Sequence, residues 1–491
     1  MKLFFSKNIH VLLSVFIALN IVFLPYIFNF FIGNHDWDWV KGTNQVLSLT
    51  TGLFEARFGK FILNVFLFSG HIFPILNTIC SFLLLALGTV LVTNYWKLKN
   101  TKQQIIIALF IALQPYILGW IYFPINILGN FSIIPLVAGG LILSEKNKIY
   151  INVLASVFFI LALGIYPSAV ETMLIVFSFK HIINKEEKKI FIRSFFILLL
   201  SIILFKILLI LLAHRGLIVS DYYNLKTTSV LYIISNITQY LKLLVEQLYL
   251  TIPFVPKMLK ILSLFAVIAA FVSSCNSLKN IILWGICFVA TILSSILTEN
   301  INEVAFQPRV NFYGLAFLYA GASALLFSNN KRLFNNIGFI LSVMCITISI
   351  NNNLYAQKVW EFGKTSETNL VLRISSQIEE KTTSPLIGVL TDEISLRPRY
   401  YNDIYDKNSP YLLDRSFVVR HIPSGMFNFY LPNDIFYSAS QISKISPELY
   451  QYLATTTAIW PEKNSIYIDD DYAIIMISKK GLNAIKQQLP K

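Results

Sequence analysis

The chain alternates long apolar runs with short polar connections. Eleven runs stand out, at 9–32, 72–95, 105–121, 125–143, 151–166, 169–183, 190–213, 258–274, 281–297, 310–327 and 334–350. Most approach the roughly 20 apolar residues that a helix needs to cross a hydrocarbon layer of about 30 Å. The pattern predicts a polytopic α-helical membrane protein with about 11 transmembrane helices in residues 1–350. Runs 151–166 and 169–183 meet at Tyr166, Pro167 and Ser168. They read either as two short helices or as one helix kinked at the proline.

Two segments between runs mix apolar and polar residues. In 42–70, Phe54, Phe58, Phe61 and Ile62 fall at helical spacing, and 227–250 is similar. Both are expected to form outer helices lying along the membrane surface, with a buried or spanning helix as the alternative. The rhythm changes after residue 350. Segments 385–391, 416–420, 465–469 and 473–478 read as short strands, and 367–381, 441–453 and 481–489 as helices. Residues 351–491 are thus expected to form a small α/β domain.

Composition supports the membrane reading. Of the 491 residues 55% are hydrophobic and only 13% charged, against about 25% charged in a soluble domain. Mean hydropathy is +0.63. Residues 1–350 hold 25 Lys and Arg against 11 Asp and Glu, and residues 351–491 hold 15 of each, so the whole excess of +14 lies in the membrane part. Its basic residues cluster in short loops: Lys97, Lys99 and Lys102; Lys146 and Lys148; Lys185, Lys188, Lys189 and Arg193; Lys279; Lys331 and Arg332. The positive-inside rule then places the N-terminus in the cytoplasm and residues 351–491 outside. No nucleic-acid motif is present, and no nucleic-acid partner is expected. The four cysteines fall in or beside apolar runs, with neither zinc spacing nor a disulfide framework, and read as small apolar packers.

Candidate chemistry gathers in the segments expected outside. Asp36 and Asp38 directly follow the first run. Carboxylates held beside hydrocarbon are costly and mark function; a solvated loop is the alternative. A spacing of two puts them on one side of an extended segment, or about 200° apart on a helix. Either could serve as general base to an acceptor hydroxyl, or one could hold a divalent cation. Trp37 and Trp39 flank them and suit either the membrane interface or a sugar face. Glu55, Arg57 and Lys60 follow, a segment whose cations could bind a phosphate ester or simply snorkel. Arg309 opens a late run, with Glu303 as its nearest local carboxylate, and a lone arginine at such depth calls for an anion. Tyr166 and Glu171 sit at the break between two runs; there Glu171 is either a helix-start carboxylate or part of the site. His214 and Arg215 could also touch a phosphate. The acidic run Asp469–Asp471 reads as a solvated turn.

These pieces together resemble a known class. Paired acids after the first helix, the segment Glu55 to Gly59, the turn Gly164 to Tyr166, and Gln307-Pro308-Arg309 before a glycine-containing helix are similar to the bacterial serotype-converting O-antigen glucosyltransferases. These are C-type membrane glycosyltransferases that use a lipid-phosphate sugar. Such enzymes have adjacent acids and a Gly-Arg-aromatic triplet. Here Trp37 separates the acids, and the triplet is Arg57-Phe58-Gly59. The resemblance implies inverting transfer of a glucosyl or other hexosyl residue from undecaprenyl-phosphate-sugar to a surface or lipid-linked polysaccharide, at the outer face of the bacterial inner membrane. Arg57, Lys60 and Arg309 would take the donor phosphate. Asp36 would be the base, and Asp38 its orienting partner or a metal ligand. Trp37, Trp39, Glu55, Tyr166 and Glu303 are candidates to bind substrate. The partners implied are the lipid-linked donor, the polysaccharide acceptor, the bilayer, a small flippase and a donor-synthesising glycosyltransferase. No cofactor is required, and a divalent metal stays open. Two other classes compete: a transporter or flippase, which predicts internal repeats and charged midplane helices, and a polysaccharide polymerase or ligase. No internal repeat is evident, and only Lys206 lies deep in a run.

Overall fold

The computed structural model describes residues 2–29, 57–59, 62–63, 74–98, 100–117, 121, 124–184, 187–217, 235, 237–249, 255–298, 308–381, 387–390, 435–438 and short stretches between 451 and 483. The helices, in chain order, are α1 (Lys2–Val22), α2 (Leu24–Phe28), α3 (Pro74–Tyr95), α4 (Thr101–Ala112), α5 (Pro124–Ser144), α6 (Ile149–Ile165), α7 (Ala169–Ile183), α8 (Lys188–His214), α9 (Ile237–Tyr249), α10 (Lys257–Ser274), α11 (Leu278–Thr298), α12 (Pro308–Phe327) and α13 (Arg332–Glu379). The chain divides into two compact units, Met1–Phe30 with Gln45–Tyr355, and Phe31–Asn44 with Ala356–Lys491.

Every apolar run coincides at least in part with a helix, and the protein is a helical membrane protein. Eleven runs do not become eleven full-length spans, however. Among the described residues five helices are long and apolar enough to cross a membrane: Ile75–Tyr95, Ile127–Ser144, Lys188–His214, Lys257–Ser274 and Arg332–Lys358. Other apolar helices are shorter: α4 has 12 residues, α7 15 and α6 17. The run 105–121 shows why. Pro115 disfavours helix at the residue before it, so α4 stops at Ala112 and a 3-10 turn over Pro115–Ile117 follows. Its 12 residues rise about 18 Å, short of the hydrocarbon thickness. At Tyr166-Pro167-Ser168 the chain leaves α6 with extended backbone and starts α7 afresh, so the pair is two helices.

The first unit is built around α7. It packs on α5, α11 and α12 and touches α6 and α8, while α3 pairs with α5, and α10 pairs with α12. Side-chain hydrogen bonds to backbone carbonyls tie distant turns together: Tyr26 Oη donates to Ile121 O at 2.6 Å, Gln103 Nε2 to Phe327 O at 2.9 Å, and Asn353 Nδ2 to Leu113 O at 2.9 Å. Such bonds satisfy polar groups that lipid cannot, each contributing about 0.6 kcal/mol.

Helix directions follow from contacts. Gly314 lies against Glu171, and Gly321 lies against the Phe179 ring, so α12 runs parallel to α7. The Trp284 ring of α11 is 5.2 Å from Phe179 and 5.7 Å from Phe271 of α10. Its Nε1 donates to Ser274 Oγ at 2.9 Å. The C-terminal end of α10 therefore sits level with the C-terminal part of α7. The first turns of α10, α12 and α7 share the opposite end.

The amphipathic helix expected in 227–250 is present as α9, which packs on α11 through one face. Tyr240 is buried, whereas Ile237, Leu241 and Val245, spaced four apart, are exposed. Most of 42–70 lies outside the described residues.

Helix α13 does not end with the apolar run at 350. It is one helix of 48 residues, because 351–366 contains no proline and the run of polar residues there is compatible with continued helix. A four-stranded sheet follows in the order β2-β1-β4-β3, with β1 (Ile387–Leu390), β2 (Ile435–Ser438), β3 (Ile466–Ile468) and β4 (Tyr472–Ile475). Strand β1 pairs in parallel with β2 and β4, and β3 with β4 antiparallel. Strands β1, β3 and β4 lie where alternation predicts them. Strand β2 was not expected, and 416–420 lies outside the described residues. Ile474, Ile475 and Met476 are buried, as is Ile466.

Candidate functional site

The candidate site is built where α6 ends and α7 begins. Arg57 lies over the Tyr166 ring, its guanidinium carbon 5.0 Å from the ring centre. Aromatic stacking uses the face of the cation, while its planar N–H fork is suited to carboxylate or phosphate oxygens. The docking of this segment depends on two missing side chains. A Cβ on Gly59 would come 2.6 Å from Leu161 O and 2.9 Å from Ile165 N, and one on Gly164 would come 2.5 Å from the Phe58 ring. Phe58 in turn lies 6.1 Å from the Phe205 ring of α8. The triplet Arg57-Phe58-Gly59 and the turn Gly164-Ile165-Tyr166, distant in sequence, thus interlock.

Glu171 occupies the first turn of α7 and is fully buried. A carboxylate there is favoured by the helix dipole. Its Oε2 accepts the Gly314 backbone N–H at 3.2 Å. Any side chain at 314 would meet that oxygen at 2.7 Å and the Thr291 backbone at 3.1 Å. Arg309 is the second residue of α12, so its backbone stands at this same end of the bundle; its side chain is not described.

Asp36, Trp37, Asp38, Trp39, Glu55, Lys60 and Glu303 lie outside the described residues. Among the described residues no group of three or more His, Cys, Asp or Glu could hold a metal ion. The structure therefore brings together Arg57 with Tyr166, and Glu171 with the start of α12.

Two buried cations were missed by looking only for charges deep in a run. Lys206, the one that pattern singled out, is half-buried on α8. Lys180, 1% exposed near the C-terminal end of α7, donates to Tyr95 O at 2.6 Å and pairs with Glu145 at 3.3 Å. Arg193 bonds the Ser144 and Glu145 carbonyls beside it, and Trp96 Nε1 donates to Val176 O at 2.9 Å. This opposite end of α7 is a stitched set of turns. Lys260, 4% exposed, lies in the first turn of α10. The available signal was position: both lysines fall at run ends, one helical turn from polar loops.

No curated protein and no solved structure matches the chain significantly. A family model described as glucosyl transferase GtrII matches residues 24–298, more than half of the 491 residues, and it spans the Arg57–Tyr166 junction and Glu171. The protein is therefore a glycosyltransferase, and the chain belongs to the GtrII glucosyl transferase family.

Proposed function

We propose that this protein transfers a glucosyl residue from a polyprenyl-phosphate donor to a hydroxyl of a surface or lipid-linked polysaccharide, such as O-antigen, on the outer face of the bacterial inner membrane. The family match over 24–298 carries this reading. The gathering of Arg57, Tyr166, Glu171 and the start of α12 at one end of the bundle supports it.

In this scheme Asp36 removes the proton of the acceptor hydroxyl, with Asp38 orienting it. The acceptor oxygen attacks the anomeric carbon from the face opposite the phosphate. The bond to the phosphate oxygen breaks, its electron pair stays on that oxygen, and polyprenyl phosphate departs. A phosphate leaving group needs charge stabilisation more than a proton, which is the task given to Arg57, Lys60 and Arg309. Trp37, Trp39, Tyr166, Glu55 and Glu303 would line the sugar path. Residues 351–491 carry no catalytic residue in this scheme and shape acceptor choice.

The test replaces both Asp36 and Asp38 with Asn, which preserves size but removes the carboxylate. Mass spectrometry of the cell-surface glycan should show transfer reduced roughly a hundredfold or more, the scale of general-base removal, with the protein inserted at normal levels. Near-normal glycan modification by the double variant would overturn the catalytic scheme. Sidedness is tested separately, by a cysteine introduced at Ser424. It should react with an impermeant thiol reagent in intact spheroplasts; labelling only after lysis would put the domain, and with it the expected orientation, on the wrong face.

A further inference from the structure

Lys260 is an anomaly among the charges of the bundle. It sits in the first turn of α10, a helix long and apolar enough to span a membrane. It is 4% exposed, and its Nζ has no hydrogen-bond or ion-pair partner among the described residues. Lys180 and Arg57, by contrast, are engaged: Lys180 by Glu145 and the Tyr95 carbonyl, and Arg57 by the Tyr166 ring. An ammonium taken out of water with nothing to answer it is costly, and such groups inside membrane proteins mark ligand or ion sites.

Its position says what kind of ligand. Taking Phe179, Trp284 and Phe271 as one level, Lys260 stands 11 residues back along α10, about 16 Å toward the other end at the rise of an α-helix. Arg309 stands 12 residues before Gly321, which lies on Phe179, so its backbone is about 18 Å from that level. Helices α10 and α12 pack directly on one another. Lys260 and the backbone of Arg309 therefore occupy nearly the same height on adjacent helices, at the end where Glu171 meets α12. That height is one turn inside the helix starts, where a lipid headgroup phosphate reaches and its chain continues down the apolar helix faces.

We propose that Lys260 binds the phosphate of a membrane lipid at the Glu171 end of the bundle, and that this phosphate is the one carried by the polyprenyl donor. The second clause rests on the function proposed above; the first does not. An ammonium is a compact point charge that suits a phosphate oxygen approached from one side. Three donors allow it to share the phosphate with the N–H fork of an arginine.

The experiment uses the full chain in nanodiscs, with binding of undecaprenyl phosphate, phosphatidylglycerol and inorganic phosphate measured separately. No transfer reaction is needed. Lys260→Met should weaken undecaprenyl phosphate binding roughly tenfold to a hundredfold, the value of one charge-assisted contact, and Lys260→Arg should restore most of it. If Lys260→Met lowers the yield of inserted protein, Lys260→Gln gives the same comparison. Lys260-dependent binding of phosphatidylglycerol but not of undecaprenyl phosphate would keep the lipid-phosphate site and overturn its assignment to the donor. Equal binding of every lipid by wild type and Lys260→Met, or Lys260-dependent binding of inorganic phosphate alone, would overturn the lipid-phosphate site while leaving the Asp36 and Asp38 test to decide the activity.

Discussion

Helices α7 and α8 follow one another in the chain, yet they treat their polar and apolar residues in opposite ways. In α7, Glu171, Thr172, Ser178, Lys180 and His181 are all buried. In α8, the most apolar of the long helices, most of the apolar stretch is not buried. Ile192, Phe196, Ile203, Ile207, Ile210 and Leu211 face outward. A water-soluble bundle would reverse this. In a membrane the outward rows meet lipid, and polar groups must find each other inside. The more apolar helix is thus the periphery, and the less apolar one carries the buried charges. High hydropathy finds the membrane, and broken hydropathy finds the buried polar interior.

The largest effect expected from this contrast is at Lys180. Its ammonium is engaged by Tyr95 O and by Glu145, and Lys180→Met leaves both acceptors without it. Removing one member of a buried pair costs about 3–5 kcal/mol, and the partial exposure of Glu145 places the loss near the lower figure. Lys206→Met, on half-buried α8, should change stability by less than about 0.5 kcal/mol. Equilibrium unfolding in detergent compares the two directly. Equal losses would mean that α7 and α8 are not the inside and the outside of one bundle.

Next comes the close approach of α12 to α7. Gly314→Ala puts a methyl carbon 2.7 Å from Glu171 Oε2, so α12 must back away or Glu171 must turn. Overpacking of this kind costs about 1–3 kcal/mol, and transfer activity should fall with it, because the same shift moves Arg309. Gly285→Ala in α11 is the paired control. Nothing lies within 4 Å of a Cβ there, and the gain in helix propensity should stabilise by up to about 1 kcal/mol. The same unfolding measurement tests both. A Gly314→Ala protein as stable and active as wild type would detach Glu171 from the α12 contact.

How much of this was legible follows the same physics. The apolar runs give the helices, because periodic burial and hydrocarbon length leave their mark in every residue. They overstate the spans where one residue stops a helix, as Pro115 does to α4. They lose α13 past 350, where the sequence turns polar while the helix continues. Strand β2, Ile435–Ser438, was not among the segments read as strands. At the site, Arg57 and Tyr166 were both named from sequence, but only the tertiary fold brings them 5.0 Å apart. The need for glycine at 59 and 164 explains why that segment reads as a motif. Glu171 looked like an ordinary helix start, since nothing local reveals that Gly314, more than a hundred residues on, donates to it. Lys260 was passed over because burial near a run end is set by neighbouring helices and not by its own run.

The smallest predicted effect sharpens the contrast most. Ile207 is 46% and Leu211 57% exposed on α8, one turn apart. Truncating either to Ala removes methylenes that touch lipid in the folded bundle and would touch lipid again if the helices separated. The hydrophobic term that makes such a change costly in a soluble core therefore cancels, since lipid tails are as apolar as leucine. What remains is helix propensity, in which Ala is the better residue. Ile207→Ala and Leu211→Ala should each lie within about 0.5 kcal/mol of wild type in detergent unfolding, and should leave glycan transfer unchanged. A loss of several kcal/mol from either would mean that this face is packed on something other than lipid. In that case α8 would be an inner helix of a larger assembly, and its low burial in the single chain would mark an interface.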